Sequence, residues 1–221
     1  MKKIILSLVS AMFLISTASA DIGLNLGISG TSALFVATGN ESQTDATGSE
    51  GTTKQEDTEM GAGTYASIFV EKEFGIFAIG YTHTPDVLST ETATTHKNDQ
   101  RTEGSEASTA STNTVQVDFN EMNEVYAKIM VTENMFVKAG AMSVDVVTNE
   151  NLETGSTYGN TSLDGTSIGV GYHKEFDNTM FLRVEGAYMA FDGVTLSSAD
   201  NTLKLKNLDG VTGTVSIGKA F

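Results

Sequence analysis

Three histidines, His83, His96 and His173, are the side chains best suited to general acid–base work near neutral pH. A hydrolase would set one of them beside a hydroxyl nucleophile and an orienting third group. His83 comes nearest, with Thr82, Thr84, Asp86 and Ser89 close in sequence, but the spacing matches no nucleophile–base–orienter arrangement. Zinc-type spacing does not occur, and the chain has no cysteine, so thiolate metal sites and disulfides are both excluded. The acids Glu41, Asp45, Glu50, Glu56, Asp57 and Glu59 offer hard oxygen ligands for calcium or magnesium. They lack the spaced pattern of a calcium loop, and solvated loop acids are the expectation. No Gly-rich phosphate loop stands between a strand and a helix. Catalytic, cofactor-binding and metal residues are therefore assigned as none, and no cofactor is expected.

A second group of charges is more informative: Glu71, Lys128, Lys138, Arg183 and Glu185 each sit inside a run that alternates apolar and polar residues. Such alternation is the strand period. The clearest case is Val125, Ala127, Ile129 and Val131, which alternate with Tyr126, Lys128 and Met130. After Thr132-Glu133-Asn134 the pattern resumes as Val137, Ala139 and Ala141 against Lys138, Gly140 and Met142. A three-residue connection makes this an antiparallel hairpin, setting Lys128 against Lys138 and Tyr126 against Gly140. Two lysines side by side need acidic partners, and Glu71, Glu124 or Glu185 should supply them.

Six further runs behave alike. Strand one carries Ile22, Leu24, Leu26 and Ile28, and continues through Leu34 and Val36 after a break at Gly30. Ala66, Ile68 and Val70 oppose Tyr65, Ser67 and Glu71; Phe77, Ile79 and Tyr81 oppose Ala78, Gly80 and Thr82. Ile168, Val170 and Tyr172 oppose Gly169, Gly171 and His173; Leu182, Val184 and Tyr188 oppose Arg183, Glu185 and Ala187. The last run sets Val211, Val215 and Ile217 against Thr212, Thr214, Ser216 and Gly218. Between these eight strands the connections alternate long and short, starting with a long one. The long ones are Asn40–Glu59, Pro85–Thr114, Asn149–Asp164 and Ser197–Asn207, rich in Thr, Ser, Gly and Asn. That rhythm puts every long loop at one end of the molecule. Greek-key sandwiches have no reason to keep it, whereas an up-and-down outer-membrane barrel does.

The amino terminus reads as an export signal: Lys2 and Lys3, an apolar run from Ile4 to Ile15, then Ala18-Ser19-Ala20. Cleavage before Asp21 would leave 221 − 20 = 201 residues with net charge −15 − 2 = −17. The expected organisation is a signal peptide over 1–20 and a barrel domain over 21–221. So acidic a chain excludes nucleic acid as a partner, because phosphates demand basic patches. No later segment is apolar for 18 residues, so spanning helices are excluded, while barrel strands of about 10 residues are not. Lipid offers the backbone no hydrogen bonds, so an all-β span must close on itself. The aliphatic face then meets acyl chains, and the Gly, Ala, Ser and Thr face with its few charges lines a narrow lumen. Small residues such as Gly169 and Gly171 would leave room beside Arg183 and Glu185.

Aromatics fall in two belts. Phe74, Phe77, Phe136, Phe176, Phe181 and Phe221 lie near short turns or the carboxyl terminus; Phe35, Tyr81, Phe119, Tyr188 and Phe191 lie near the long connections. Interfacial girdles would look so, although Phe136 and Phe181 have lumen parity and would plug the bottom.

The signal peptide, the eight alternating strands and the terminal strand ending in Phe221 resemble the small outer-membrane barrels of the OmpA-domain, OmpX and opacity-protein type. The resemblance implies an assembly signal in Phe221, Ile217, Val215 and Val211, read by the barrel-assembly machinery. Lys219 departs from it, where an apolar residue is usual, and could snorkel at the interface. No peptidoglycan-binding domain follows, so wall tethering is not expected. The resemblance also implies outer-membrane lipid and lipopolysaccharide as surroundings. On this reading the chain is a non-enzymatic surface protein whose acidic loops meet an extracellular ligand or phage, in adhesion or shielding. A minor channel through Lys128, Lys138 and Arg183, and a lipid A-modifying enzyme using His83, are the alternatives.

Overall fold

The computed structural model describes residues 22–44, 50–98, 110–151, 158–198 and 201–221. The expected signal peptide lies outside the described residues. Ten strands form one antiparallel sheet: β1 (Leu24–Thr44), β2 (Glu50–Phe74), β3 (Phe77–Ser89), β4 (Ala93–Asn98), β5 (Ala110–Met130), β6 (Met135–Asn151), β7 (Thr161–Glu175), β8 (Met180–Phe191), β9 (Val194–Ser198) and β10 (Asn201–Ala220). Eight of them make the wall, in the order β1-β2-β3-β5-β6-β7-β8-β10, and β1 pairs with β10 to close it. The fold is an eight-stranded up-and-down transmembrane β-barrel, in which closure removes the sheet edges that lipid could not satisfy. Short strands β4 and β9 pair with β5 and β10 at the long-connection end.

The hairpin registers follow from turn chemistry. Gly75 takes φ +66° in the two-residue turn between β2 and β3, a left-handed conformation that costs glycine nothing. Residues 131–134 join β5 to β6, where Thr132 Oγ1 accepts from the Met135 amide at 2.9 Å. The resulting register sets Lys128 against Lys138 and Tyr126 against Gly140, as the sequence predicts.

At the other end the structure corrects the sequence reading. The stretches expected as loops are largely ladder: β1 and β2 stay paired up to Thr44 and Glu50, and β6 runs to Asn151. Within Pro85–Thr114, β3 continues to Ser89 and β4 pairs with β5; within Ser197–Asn207, β9 and β10 form a hairpin. Beyond the membrane the outward face of a strand no longer needs to be aliphatic, so hydrophobic alternation fades while the β-propensity of Thr persists. Nor does Gly30 break β1, since it pairs with Ala66 on one side and Val215 on the other. A bulge at Glu121–Met122, with Glu121 at φ 50°, shifts the β5 register. It reverses the facing of the residues before it, so Phe119 and Val117 pack inward.

The wall is apolar outside and keeps its strand charges within. Leu34, Ile79, Val125, Ile168, Val184 and Val211 are each between 48% and 62% exposed, whereas Glu71 and Lys128 are 0% and 1% exposed. In water so many bare aliphatics would be a liability; against acyl chains they are the matching surface. Phe74, Phe77, Tyr81, Tyr172, Phe176 and Tyr188 are exposed around this band. Phe35 and Phe191, expected in the girdle, are instead buried in the lumen, because at their level the inward face is apolar.

Candidate functional site

The lumen is filled in layers. Nearest the short turns are Phe69, Phe136 and Phe181, all buried. Each ring lies over a glycine directly across the ladder. A Cβ on Gly27 would come 2.3 Å from Phe69 Cζ, one on Gly171 2.2 Å from Phe136 Cζ, and one on Gly218 2.3 Å from Phe181 Cζ. Gly171, expected to make room for charged neighbours, therefore houses Phe136. Gly169 does serve Glu185, whose Oε1 would be 3.3 Å from a Cβ there.

On the phenyl rings sits the first charge group. Arg183 packs over Phe69, Phe136 and Phe181 at 5.2, 5.4 and 5.3 Å from the ring centroids, so three π faces surround its guanidinium. Its Nη2 and Nη1 donate to Glu71 Oε1 and Oε2 at 2.9 and 3.2 Å, a bidentate pairing. Lys128 Nζ donates to the same Oε1 at 2.6 Å, Asn25 Nδ2 to it at 3.3 Å, and Tyr126 Oη to Oε2 at 2.9 Å. One carboxylate thus collects donors from β1, β5 and β8. Glu73 Oε1, nearer the turn, lies 3.4 Å from Lys128 and accepts from Asn25 at 2.8 Å.

The second group stacks above it. Lys138 Nζ lies 2.6 Å from Glu185 Oε1, 3.2 Å from Glu124 Oε2 and 4.9 Å from the Tyr126 ring centroid. Ser167 Oγ donates to Glu124 Oε1. The five charges picked out in the sequence thus meet in the lumen, with Glu124 as a sixth. Glu71, Glu124 and Glu185 balance Lys128, Lys138 and Arg183, and this neutrality is what makes so dry a cluster tolerable. The sequence pointed to charges of lumen parity but not to the Phe69, Asn25 and Tyr126 contacts, which depend on which strands become neighbours.

Above the charges comes a hydroxyl layer, with Ser29–Ser216, Thr31–Thr214 and Ser67–Thr84 oxygens 2.9, 2.9 and 2.7 Å apart. A cavity of about 50 Å³ between this layer and Glu124, Lys138 and Arg183 has room for only a few waters. Higher still, Phe35, Met122, Val144, Leu163, Met189, Phe191 and Leu208 form an apolar plug.

The remaining sequence-designated residues lie elsewhere. Val211, Val215 and Ile217 face outward, and Phe221 closes the barrel: its carbonyl accepts from the Ile22 and Leu24 amides at 2.9 and 3.2 Å. Lys219 Nζ lies 5.2 Å from the Phe221 ring centroid. His83 faces outward at the rim of the apolar band. Its Nδ1 is 3.0 Å from Asn123 Oδ1 and its Nε2 3.6 Å from Glu121 Oε2. Among the described residues no serine hydroxyl is hydrogen-bonded to it. His173 packs against Phe181, ring centroids 4.8 Å apart, and the His96 side chain lies outside what is described.

No family model matches the chain, and no curated relative matches it in sequence. The fold is nevertheless shared with solved structures. The outer membrane protein OprG of Pseudomonas aeruginosa is similar over 91% of this chain and 97% of its own, with TM-score 0.51 and 9% identity. The outer membrane protease OmpT of Escherichia coli matches over 93% and 99%, with TM-score 0.48 and 10% identity. The attachment invasion locus protein Ail of Yersinia pestis, solved with a heparin analogue, matches over 88% and 99%, with TM-score 0.35 and 11% identity. At such identity the likeness to OprG is one of architecture: this chain has the fold of an outer-membrane barrel.

Proposed function

We propose that this protein is an outer-membrane surface barrel of the OmpA-domain, OmpX and opacity-protein type. It is not an enzyme, and it acts through the strands and connections that rise above the membrane. The carrying observation is the contrast between a stopped lumen and over-long strands. Three phenyl rings, six mutually paired charges and an apolar plug fill the lumen in layers among the described residues. Meanwhile β2 has 25 residues where a span needs about 10, so about 15 remain, about 50 Å of strand at 3.3 Å per residue. A projection of that length, ending in acidic Thr-rich sequence, suits contact with an extracellular ligand or phage, in adhesion or shielding. Partners on this reading are outer-membrane lipid and lipopolysaccharide around the apolar band and the barrel-assembly machinery at Phe221, with a cleaved leader over 1–20 directing export.

Two measurements test it. Planar-bilayer recordings of the refolded protein should show no steady conductance. Reproducible open steps that vanish when Lys128, Lys138 and Arg183 are replaced would establish the channel reading instead. Displayed on a non-adherent host, the protein should promote surface attachment or phage binding. A version with the β1–β2 projection cut back to Thr38 and Thr58 should not, while still migrating as a folded barrel.

A further inference from the structure

The cavity of about 50 Å³ between the charge groups and the hydroxyl layer has Met122 and Met189 of the apolar plug on its upper side. Two of its lining side chains stand out. Tyr65 is 8% exposed and Arg183 4% exposed, yet Tyr65 Oη and Arg183 Nε have no hydrogen-bond partner among the described residues. Thr31, across the ladder from Tyr65, already shares its hydroxyl with Thr214 at 2.9 Å. The two terminal nitrogens of Arg183 are committed to Glu71. Buried polar groups are nearly always paired, so two orphans on one small cavity call for an explanation.

Both orphans bring a hydrogen. The guanidinium can only donate, and the tyrosine hydroxyl carries one donor. The hydroxyl layer adds to them. In Ser29–Ser216, Thr31–Thr214 and Ser67–Thr84 two hydroxyls share one hydrogen bond, which leaves one hydrogen of each pair to turn elsewhere. The carboxylates on the lining are already engaged. Glu124 Oε1 and Oε2 accept from Ser167 and Lys138, and Glu185 Oε1 lies 2.6 Å from Lys138 Nζ. The unmet demand is therefore for an acceptor. A water takes two of these hydrogens but brings two of its own, whereas a halide accepts from every side and brings none. The six charges balance overall, so the hold on such an ion rests on converging donors and on the nearness of Arg183 and Lys138, not on net charge.

From this arrangement we propose that the cavity is a binding site for one small monovalent anion of chloride size, held by Tyr65 Oη, Arg183 Nε and the spare hydrogens of the hydroxyl layer. A single water needs about 10–15 Å³ of such space, so a somewhat larger ion fits where a polyatomic organic anion does not. The donors come from β1, β2, β8 and β10 together with the Ser67–Thr84 pair between β2 and β3. Four of these strands flank the β1–β10 pairing that closes the barrel, so the ion stabilises the closed wall. The proposal is independent of the surface-contact role.

The test is urea unfolding of the protein in phosphatidylcholine vesicles, with sodium chloride replacing sodium gluconate at constant ionic strength. Once chloride passes its dissociation constant, each tenfold rise should raise the folded-to-unfolded ratio about tenfold. Tyr65→Phe keeps the ring and removes one donor. It should move the onset to chloride at least about tenfold higher, as losing a hydrogen bond to a charged group does. Crystals of the wild type grown in sodium bromide should show one anomalous scatterer within hydrogen-bond reach of Tyr65 Oη and Arg183 Nε. A stability that ignores chloride, or that follows it equally in Tyr65→Phe, overturns the proposal, because a general salt effect does not distinguish the two proteins. A bromide peak without chloride-dependent stability means binding at crystal concentration only, and water there without an anomalous signal means no ion; either overturns it. Should Tyr65→Phe fail to show the mobility of a folded barrel, the wild type decides alone, and the absence of either the chloride dependence or the bromide peak overturns the proposal.

Discussion

Glu71 is the hub of the lumen, and removing its charge is the severest test of how that lumen is held together. The Glu71→Ala change strands Arg183, bidentate on Glu71 at 2.9 and 3.2 Å, and Lys128, at 2.6 Å, and it removes the acceptor for Asn25 and Tyr126. Glu73, 3.4 Å from Lys128, compensates in part, and Arg183 keeps only its ring contacts. Breaking a buried pair costs about 3–5 kcal/mol, or about two to three and a half powers of ten in the folded-to-unfolded ratio. The chain has no tryptophan, so the assay is urea unfolding in lipid vesicles followed by far-ultraviolet circular dichroism and by mobility of unboiled protein on gels. Glu71→Gln should fall between the wild type and Glu71→Ala, because the amide oxygen still accepts hydrogen bonds although the charge and the second acceptor oxygen are lost. Replacing Glu71, Lys128 and Arg183 together by Met should recover most of the loss, since no charge is then left alone. If Glu71→Ala unfolds within about 1 kcal/mol of wild type, or the triple variant is no better than the single one, the cluster is not the hub described here.

Lys138→Met should destabilise the barrel by a similar amount, since it leaves Glu124 and Glu185 facing each other unpaired; the same urea titration measures it. Gly171→Val would drive a side chain into the Phe136 ring, whose Cζ is 2.2 Å from a Cβ there, at a cost of about 1–3 kcal/mol. A double-mutant cycle with Phe136→Ala should recover part of that cost, whereas strict additivity would mean the ring is not what the glycine accommodates. Deleting Phe221 removes both the proposed assembly signal and the carbonyl that accepts from Ile22 and Leu24. The heat-modifiable fraction in whole cells should drop more than the stability of protein refolded in vitro; equal losses would leave only a structural role. His83→Ala should leave lipid A unchanged in mass spectra of cells making the protein. Acyl loss or gain that depends on His83 would revive the enzyme reading.

What the sequence determined is which residues face lipid and which face the lumen. Facing in a strand repeats every two residues, and one side of each strand here had to be aliphatic, so Val125, Ile129, Val184 and Val215 could be told from Tyr126, Lys128, Arg183 and Ser216 without coordinates. The short turns, the hairpin register at Lys128 and Lys138, and the need for acidic partners are equally local matters. The alternation of connection lengths carried the closed up-and-down order, because only that order returns every long connection to one end. Tertiary structure alone decided everything that depends on strands distant in sequence. Glu71, Lys128 and Arg183 share one hydrogen-bond network, although 112 residues separate Glu71 from Arg183. The phenyl rings find their glycines only once the strands are in register. Above the apolar band the outward face meets water and the contrast between the two faces weakens, although Phe35, Val144 and Phe191 still pack inside the wall. There the bulge at Glu121, which turns Phe119 inward, and the parting of β2 from β3 at Pro85 were set by backbone pairing, whereas Phe35 and Phe191 keep the inward parity of Thr31 and Arg183 on their own strands.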